Sequence, residues 1–105
     1  MRQGLLKMLD ASLMKLMDIL SGHGIEVNVI ESDADIKDDG FYFFARSEHD
    51  IGIEHWSKAA AHKMKVANDH GLYCDGFISL IDCEDIDVFC NRMIVWNNAV
   101  KNSHL

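Results

Sequence analysis

The sequence predicts an α+β fold with the element order α-β-β-α-β-α, in which a small, mainly antiparallel three-stranded sheet is packed by three amphipathic helices. Two observations lead to this fold class. Three long segments repeat apolar residues at intervals of three and four, the period of a helix with one buried face. Between them lie short apolar segments of strand length, and the 105 residues contain no proline. We therefore expect residues 1–105 to form a single compact domain.

The first helix is predicted from Arg2 to Ser21, where Gly22 and Gly24 follow and favour a helix end. Its apolar stripe consists of leucines spaced three and four residues apart, widened by further apolar residues on either side. The leucines are Leu6, Leu9, Leu13, Leu16 and Leu20. Such a stripe must be buried against a sheet or another protein.

Two strands are predicted after this helix. Ile25, Val27 and Val29 alternate with polar residues, the period-two pattern of a strand. The acidic residues 32–40 are predicted to form a hairpin loop. The aromatic run 41–44 then predicts a second strand with two apolar faces, so that something must cover each side.

A second helix is predicted to begin near Ser47 or Asp50, because these residues resemble a capping box. It would end at the Asp69-His70-Gly71 segment and bury apolar residues along one face. These residues are Ile53, Trp56, Ala60, Met64 and Ala67. Gly52 weakens the first turn of this helix and allows a later start.

The third strand is predicted near residues 73–81, followed by a last helix capped by Asp82 with Asp85 at the matching position. The apolar residues of this last helix again recur at helical spacing: Ile86, Phe89, Met93, Trp96 and Val100. Placing the first strand between the other two gives a wholly antiparallel sheet.

The net charge of −7 is concentrated in two short segments. The first contains Glu31, Asp33, Asp35, Asp38 and Asp39, and the second contains Asp82, Glu84, Asp85 and Asp87. Carboxylates in such number disfavour direct binding to a nucleic-acid backbone. They suit a basic protein partner, but acidic residues at a turn, as in the first segment, or at a helix start, as in the second, more often have no partner.

No motif in the sequence predicts a catalytic site, a metal site or a cofactor. His55 and His62 share a helical face in the predicted second helix but are roughly 10 Å apart along its axis, too far for one zinc ion. The acidic loop fails the calcium-loop pattern, since Lys37 and Arg46 fall where oxygen ligands are required. Phosphate-binding glycine motifs are missing as well. We expect no cofactor and consider an enzyme the less favoured class.

The three cysteines form no C-x-x-C pair, which favours reduced thiols in a cytoplasmic protein. No stretch of about 20 apolar residues predicts a membrane span. We therefore expect a cytoplasmic protein that binds no membrane.

The function that the sequence favours is that of a small acidic protein-interaction module, of the adaptor, chaperone-like, immunity or inhibitor type, which acts by surface binding. A homodimer is expected, because three helices leave apolar surface on a two-faced sheet. One alternative is a small-ligand binder or small enzyme with an aromatic-lined pocket between sheet and helices. Another is an acidic mimic of nucleic acid. The residues expected at the interface or pocket are Phe41, Tyr42, Phe43, Phe44, Trp56 and Trp96.

Overall fold

The computed structural model describes residues 10–47 and 49–103, with the side chains of residues 14–47 and 49–102. Three α-helices and four strands follow one another in the order α-β-β-β-α-β-α, with short 3-10 turns at Asp33–Asp35 and Leu80–Asp82. The elements are α1 (Asp10–Gly22), β1 (Val27–Val29), β2 (Gly40–Ser47), β3 (Asp50–Ser57), α2 (Lys58–Met64), β4 (Tyr73–Ser79) and α3 (Ile86–Ser103). The predicted α+β class is confirmed.

The sheet has four strands in the order β1-β2-β3-β4 and is mixed. β1 runs parallel to β2, with Val27 opposite Phe41, whereas β2–β3 and β3–β4 are antiparallel pairs. The predicted three-stranded sheet with its first strand in the centre is therefore wrong in strand number and order. β1 lies at one edge because its partner β2 pairs on its other side with a strand that was predicted to be helical.

That strand, β3, replaces the first half of the predicted second helix. Ile51 and Ile53 lie on one face with Gly52 between them, and the whole segment from Ile51 to Ser57 is buried. Only a residue without a Cβ fits at Gly52, because its backbone lies against the Ile78 carbonyl of β4. The helix α2 begins one residue after Ser57, whose hydroxyl oxygen accepts a hydrogen bond from the Ala60 N–H at 3.2 Å.

One face of the sheet is covered by α1 and α3. Leu16 and Leu20 of α1 and Phe89 and Met93 of α3 are almost fully buried in a cluster with Phe43 of β2. The described part of the leucine stripe is thus packed against the sheet and α3. Leu6 and Leu9 lie outside the described residues, as does the side chain of Leu13.

The other face is covered by connecting segments. Ile36, from the β1–β2 connection, and Leu72, from the α2–β4 connection, are completely buried with Tyr42, Phe44 and Trp56. The prediction of a hairpin loop at residues 32–40 is wrong, because parallel strands cannot be joined by a hairpin and need a crossover. Both faces of β2 are therefore covered within one chain.

The last helix begins four residues later than its predicted cap. Asp82 lies in a 3-10 turn, and the Asp85 carboxylate instead accepts a hydrogen bond from the Val88 N–H at 2.9 Å. Asp85 therefore serves as the N-terminal cap of α3.

Candidate functional site

The outer edge of β4 has no neighbouring strand in the described part of the chain. Phe77, in the second half of this strand, is 64% exposed, although it lies opposite the buried Glu54 of β3. An outer strand with an exposed large apolar side chain is a ready template for pairing with another strand. β4 is seven residues long, whereas the other outer strand, β1, has only three.

Helix α3 packs against β4 on the face of the sheet that carries His55. Trp96 packs over Gly76, where a Cβ would lie 3.0 Å from the Trp96 ring, so the missing side chain of Gly76 brings the helix close to β4. Next to Trp96, the exposed Val95 and the small Ala99 line a shallow depression together with Asn91 and Arg92. Ile81, just after β4, is also exposed. We call Phe77 and Ile81 the edge surface.

The segments at the two ends of β4 carry opposite charge. Residues 80–91, which follow the strand, contain four acidic residues and no lysine or arginine. Residues 58–66, on and after α2, contain three lysines and no acidic residue. They lie at the start of β4, because Ser57 is opposite Tyr73 in the sheet. β4 therefore runs from a basic end to an acidic end.

The acidic residues of the first predicted patch are largely used within the chain. Asp33 accepts a hydrogen bond from Arg46 at 2.6 Å, and Asp35 accepts bonds from the Glu31 and Ser32 N–H groups, each at 3.2 Å. Asp39 accepts one from the Lys58 N–H at 3.2 Å. The carboxylates thus fix the crossover along the sheet and do not form one free acidic surface.

The second acidic patch is more open. The Asp87 Oδ1 atom lies 3.8 Å from the Lys15 Nζ atom of α1, and Asp85 caps α3. The side chains of Asp82 and Glu84 are exposed and make no polar contact in the described structure. This patch directly follows β4 and is continuous along the chain with the edge surface.

The six aromatic residues predicted at an interface or pocket are separated by the sheet. Phe41 and Phe43 face α1 and α3, whereas Tyr42, Phe44 and Trp56 face the crossover, and all five are buried. Trp96 alone is partly exposed, packed against the Phe41 ring with centroids 5.1 Å apart. Trp96 therefore lies over β4 on the α3 face, and the other five residues lie in the two cores.

A histidine–aspartate pair that the sequence did not reveal lies under α3. The His55 Nδ1 of β3 is 2.7 Å from the Asp75 Oδ1 of β4. The imidazole packs against the rings of both Phe41 and Trp96, at centroid distances of 4.7 and 6.0 Å. The His55 side chain is only 9% exposed. Within the described structure, its Nε2 atom makes no hydrogen bond.

A β-bulge creates this pair. His55 is opposite Gly76 and Trp56 is opposite Cys74, so Asp75 is an extra residue in β4 without a partner in β3. A bulge redirects side chains away from strict alternation. Here it places the Asp75 carboxylate on the same side of the sheet as the imidazole. Sequence reasoning could not find the pair, because its members are twenty residues apart and belong to no motif.

The pair opens onto a small cavity of about 230 Å³ between the sheet and the helices. Besides His55 and Asp75, its lining includes Ser57 of β3 and Lys63 of α2, with apolar contributions from Ala59, Ala60 and Val100.

A second polar cluster lies on the opposite face of the sheet. The buried Glu54 carboxylate accepts a hydrogen bond from Arg46 at 2.9 Å and lies 3.6 Å from the Cys74 sulfur. Burial raises the pKa of the Cys74 thiol to about 11, and the Glu54 charge contributes to the rise. For Arg46, burial lowers the pKa, but the bonds to Glu54 and Asp33 outweigh it and raise the pKa overall. This arrangement stabilises a buried charge and lowers the fraction of Cys74 present as thiolate.

Within residues 10–47 and 49–103, no three histidine, cysteine, aspartate or glutamate side chains are grouped so that they could hold a metal ion. None of the described helices is both long and apolar enough to cross a membrane. Comparison with protein-family models, with curated proteins and with solved structures found no match for this chain.

Proposed function

We propose that this chain is a small acidic protein-interaction module that acts by surface binding, and that it binds its partner along the open edge of β4. The observation that carries the proposal is Phe77, a residue 64% exposed on an outer strand that has no neighbouring strand among the described residues. Strand addition at such an edge gains backbone hydrogen bonds, and the exposed side chain gains a packing partner.

The partner that this edge fits is a second copy of the same chain. If two β4 strands pair antiparallel, the acidic end of each strand meets the basic end of the other. Each copy then contributes the same surface, which is the requirement for a closed two-fold dimer. The opposite charges that meet at both ends of the strand pair also favour the antiparallel orientation over a parallel one. The protein is therefore expected to be a homodimer.

The acidic end offers the same attraction to a basic segment of another protein. Roles of the adaptor, chaperone-like, immunity or inhibitor type all require a surface of this kind. The alternative of a nucleic-acid mimic has less support, because Asp33, Asp35 and Asp39 of the first acidic segment are bonded within the chain.

Paired charge reversals test this arrangement. One variant combines Asp82→Lys with Glu84→Lys, so that residues 80–91 lose their net negative charge, because the two lysines balance Asp85 and Asp87. The other combines Lys58→Glu with Lys65→Glu, so that both ends become acidic. Each variant alone is expected to dimerise more weakly than the natural chain. The first variant loses the attraction between opposite charges, and in the second variant like charges meet at both ends of the strand pair.

A 1:1 mixture of the two variants is expected to restore association as a heterodimer, measured by analytical ultracentrifugation at low salt. Circular dichroism spectra establish that both variants fold. A mixture that associates no better than its separate components would overturn the antiparallel pairing. A natural chain that is monomeric at all concentrations would overturn the homodimer, and the edge would then remain open to foreign strands alone.

A further inference from the structure

The cavity beside His55 and Asp75 collects polar side chains from three elements. His55 and Ser57 come from β3, Asp75 from the bulge in β4, and Lys63 from α2. The rest of the lining is apolar and consists of Ala59, Ala60 and Val100. The volume of about 230 Å³ is below the roughly 300–1,000 Å³ of sites for drug-sized ligands. The space therefore suits a small molecule.

The histidine–aspartate pair supplies hydrogen-bond acceptors to this cavity. The Asp75 Oδ1 atom lies 2.7 Å from the His55 Nδ1 atom. Because a carboxylate can only accept, Nδ1 of the neutral ring carries the proton and Nε2 is left with a lone pair. Neither Nε2, on a side chain that is nine-tenths buried, nor Asp75 Oδ2 has a hydrogen-bond partner among the described residues. A ligand beside this pair therefore has to donate hydrogen bonds.

Lys63 supplies hydrogen-bond donors and a positive charge. This residue lies in the last turn of α2, is exposed, and forms no ion pair within the described part of the chain. The Ser57 oxygen accepts the Ala60 N–H at 3.2 Å, which leaves the Ser57 hydroxyl proton free to donate. A ligand beside Lys63 and Ser57 therefore has to accept hydrogen bonds, and a negative charge on it is favoured.

The two formal charges in the lining cancel, because Asp75 is negative and Lys63 is positive. A simple anion would meet the carboxylate and a simple cation would meet the ammonium group, so neither is favoured. A molecule that carries both charges has a partner for each. We infer that this cavity binds a small zwitterion, a free α-amino acid with a short side chain. Its ammonium group donates to His55 Nε2 and Asp75 Oδ2, and its carboxylate accepts from Lys63 Nζ.

The β-bulge shows that the acceptor side of the cavity is built by the fold. Regular pairing of β3 and β4 would leave no extra residue opposite His55, whereas the bulge inserts Asp75, whose carboxylate reaches Nδ1. Bulges recur next to functional sites, where they redirect a side chain. A carboxylate on one imidazole nitrogen also fixes the ring and its tautomer, so that the other nitrogen is presented to a ligand. This inference does not depend on the proposed dimer.

Titration with L-alanine at pH 8 and constant ionic strength tests the site through the His55 ring signals in a ¹H–¹³C NMR spectrum. Those signals are assigned by their nuclear Overhauser contacts with the rings of Phe41 and Trp96. Two further titrations separate the charged groups of the ligand, since propionate lacks the amino group of alanine and ethylamine lacks its carboxylate. L-Alanine is expected to give saturable shifts. Propionate and ethylamine should bind at least about tenfold more weakly, the typical loss for one charge-assisted hydrogen bond.

Three single substitutions at exposed positions test which residues hold the ligand. Lys63→Gln should weaken L-alanine binding about tenfold and strengthen ethylamine binding, because only the Asp75 charge then remains in the lining. Asp75→Asn should also weaken L-alanine binding but strengthen propionate binding, because only the Lys63 charge then remains. Lys58→Gln is the matched control, since Lys58 lies on the same helix and outside this cavity. This control should bind L-alanine as the natural chain does.

Absence of saturable shifts with L-alanine in the natural chain would overturn the inference and would indicate a cavity that holds water alone. Equal affinities for L-alanine, propionate and ethylamine would overturn the recognition of a zwitterion. Equal weakening of L-alanine binding in both lysine variants would also overturn it, because it would indicate diffuse charge attraction without a site.

Discussion

Gly52 of β3 lies directly against the backbone carbonyl of Ile78 in β4, so that a Cβ at position 52 would overlap the carbonyl oxygen. The neighbour is backbone in a paired strand and cannot move aside as a flexible side chain could. This contact shows why residue 52 must be glycine: the two strands approach closely at this point.

Replacing Gly52 with alanine is therefore expected to destabilise the protein by about 1–3 kcal/mol, the usual cost of overpacking. Urea unfolding followed by circular dichroism measures the change. Gly22→Ala is the control, because no heavy atom other than its chain neighbours and its own helix lies within 4 Å of a Cβ there. Equal stabilities of the two variants would contradict the close packing of β3 on β4.

The main error of the sequence prediction concerns the segment around the same glycine, which was predicted to be helical. Ser47 and Asp50 resemble a capping box and predicted a helix start, which Gly52 only weakened. Local propensity favours a helix only from residue 58 onwards. Burial between β2 and β4 decides the state of residues 50–57, and such tertiary pairing is not visible in a local pattern.

The elements that were predicted correctly have a strong period of their own. The repeated apolar residues of α3 and the described turns of α1 recur at helical spacing, and Phe41 to Phe44 form a strand with two covered faces. The mixed sheet order was not predictable, because the acidic crossover was interpreted as a hairpin. The composition of residues 32–40 suits a hairpin loop and a crossover alike, and the burial of Ile30 and Ile36 distinguishes the two.

Arg46→Met is expected to lower the free energy of unfolding by about 2–3 kcal/mol, because it leaves the buried Glu54 carboxylate without its cationic partner. The value lies below the roughly 3–5 kcal/mol typical of fully buried pairs, since Arg46 is itself 31% exposed. The exposed Arg92→Met is the control and should change stability little. Chemical denaturation of both variants provides the comparison. A loss no larger than that of Arg92→Met would show that Glu54 needs no partner.

The Cys74 thiol is expected to react slowly with iodoacetamide at pH 8. Its pKa of about 11, compared with an ordinary value of 9.0, reduces the reactive thiolate about a hundredfold. Peptide mapping by mass spectrometry, with and without urea, measures the rate at this residue. Glu54→Gln should increase the rate in the folded protein, because it removes a negative charge near the sulfur. Equal reaction rates at Cys74 in the folded and unfolded chain would contradict the raised pKa of its thiol.

The same thiol makes stability depend on alkaline pH. Its pKa is higher in the folded state, so unfolding releases a proton once the pH exceeds the unfolded value of about 9. Stability should therefore fall as the pH rises from about 9 through about 11. Cys74→Ala should flatten this slope in a series of urea melts across that range. A slope unchanged by the substitution would assign the dependence to other groups.

The His55–Asp75 pair shows why the candidate site escaped sequence reasoning. His55 was placed on a helix, where its neighbours would be residues three or four positions away. In the structure its partner is Asp75, which depends on the register of two strands and on one inserted residue. Neither the register of β3 and β4 nor the position of the bulge can be derived from a single sequence.

Phe77→Lys is expected to abolish or strongly weaken dimerisation while the fold is retained, because a charge on the outer strand opposes pairing. Met14→Lys is the matched control: Met14 is also 64% exposed but lies on α1, away from β4. Sedimentation of both variants at the same concentration provides the comparison. Equal weakening by the two substitutions would mean that the dimer does not use the β4 edge.

The most direct test of the interaction module is the mass of the natural chain in solution. Light scattering across a dilution series is expected to give twice the chain mass of 11.9 kDa at high concentration and to fall towards the single-chain value on dilution. A mass near 11.9 kDa at every concentration would contradict the homodimer and with it the proposal that a second copy occupies the edge of β4.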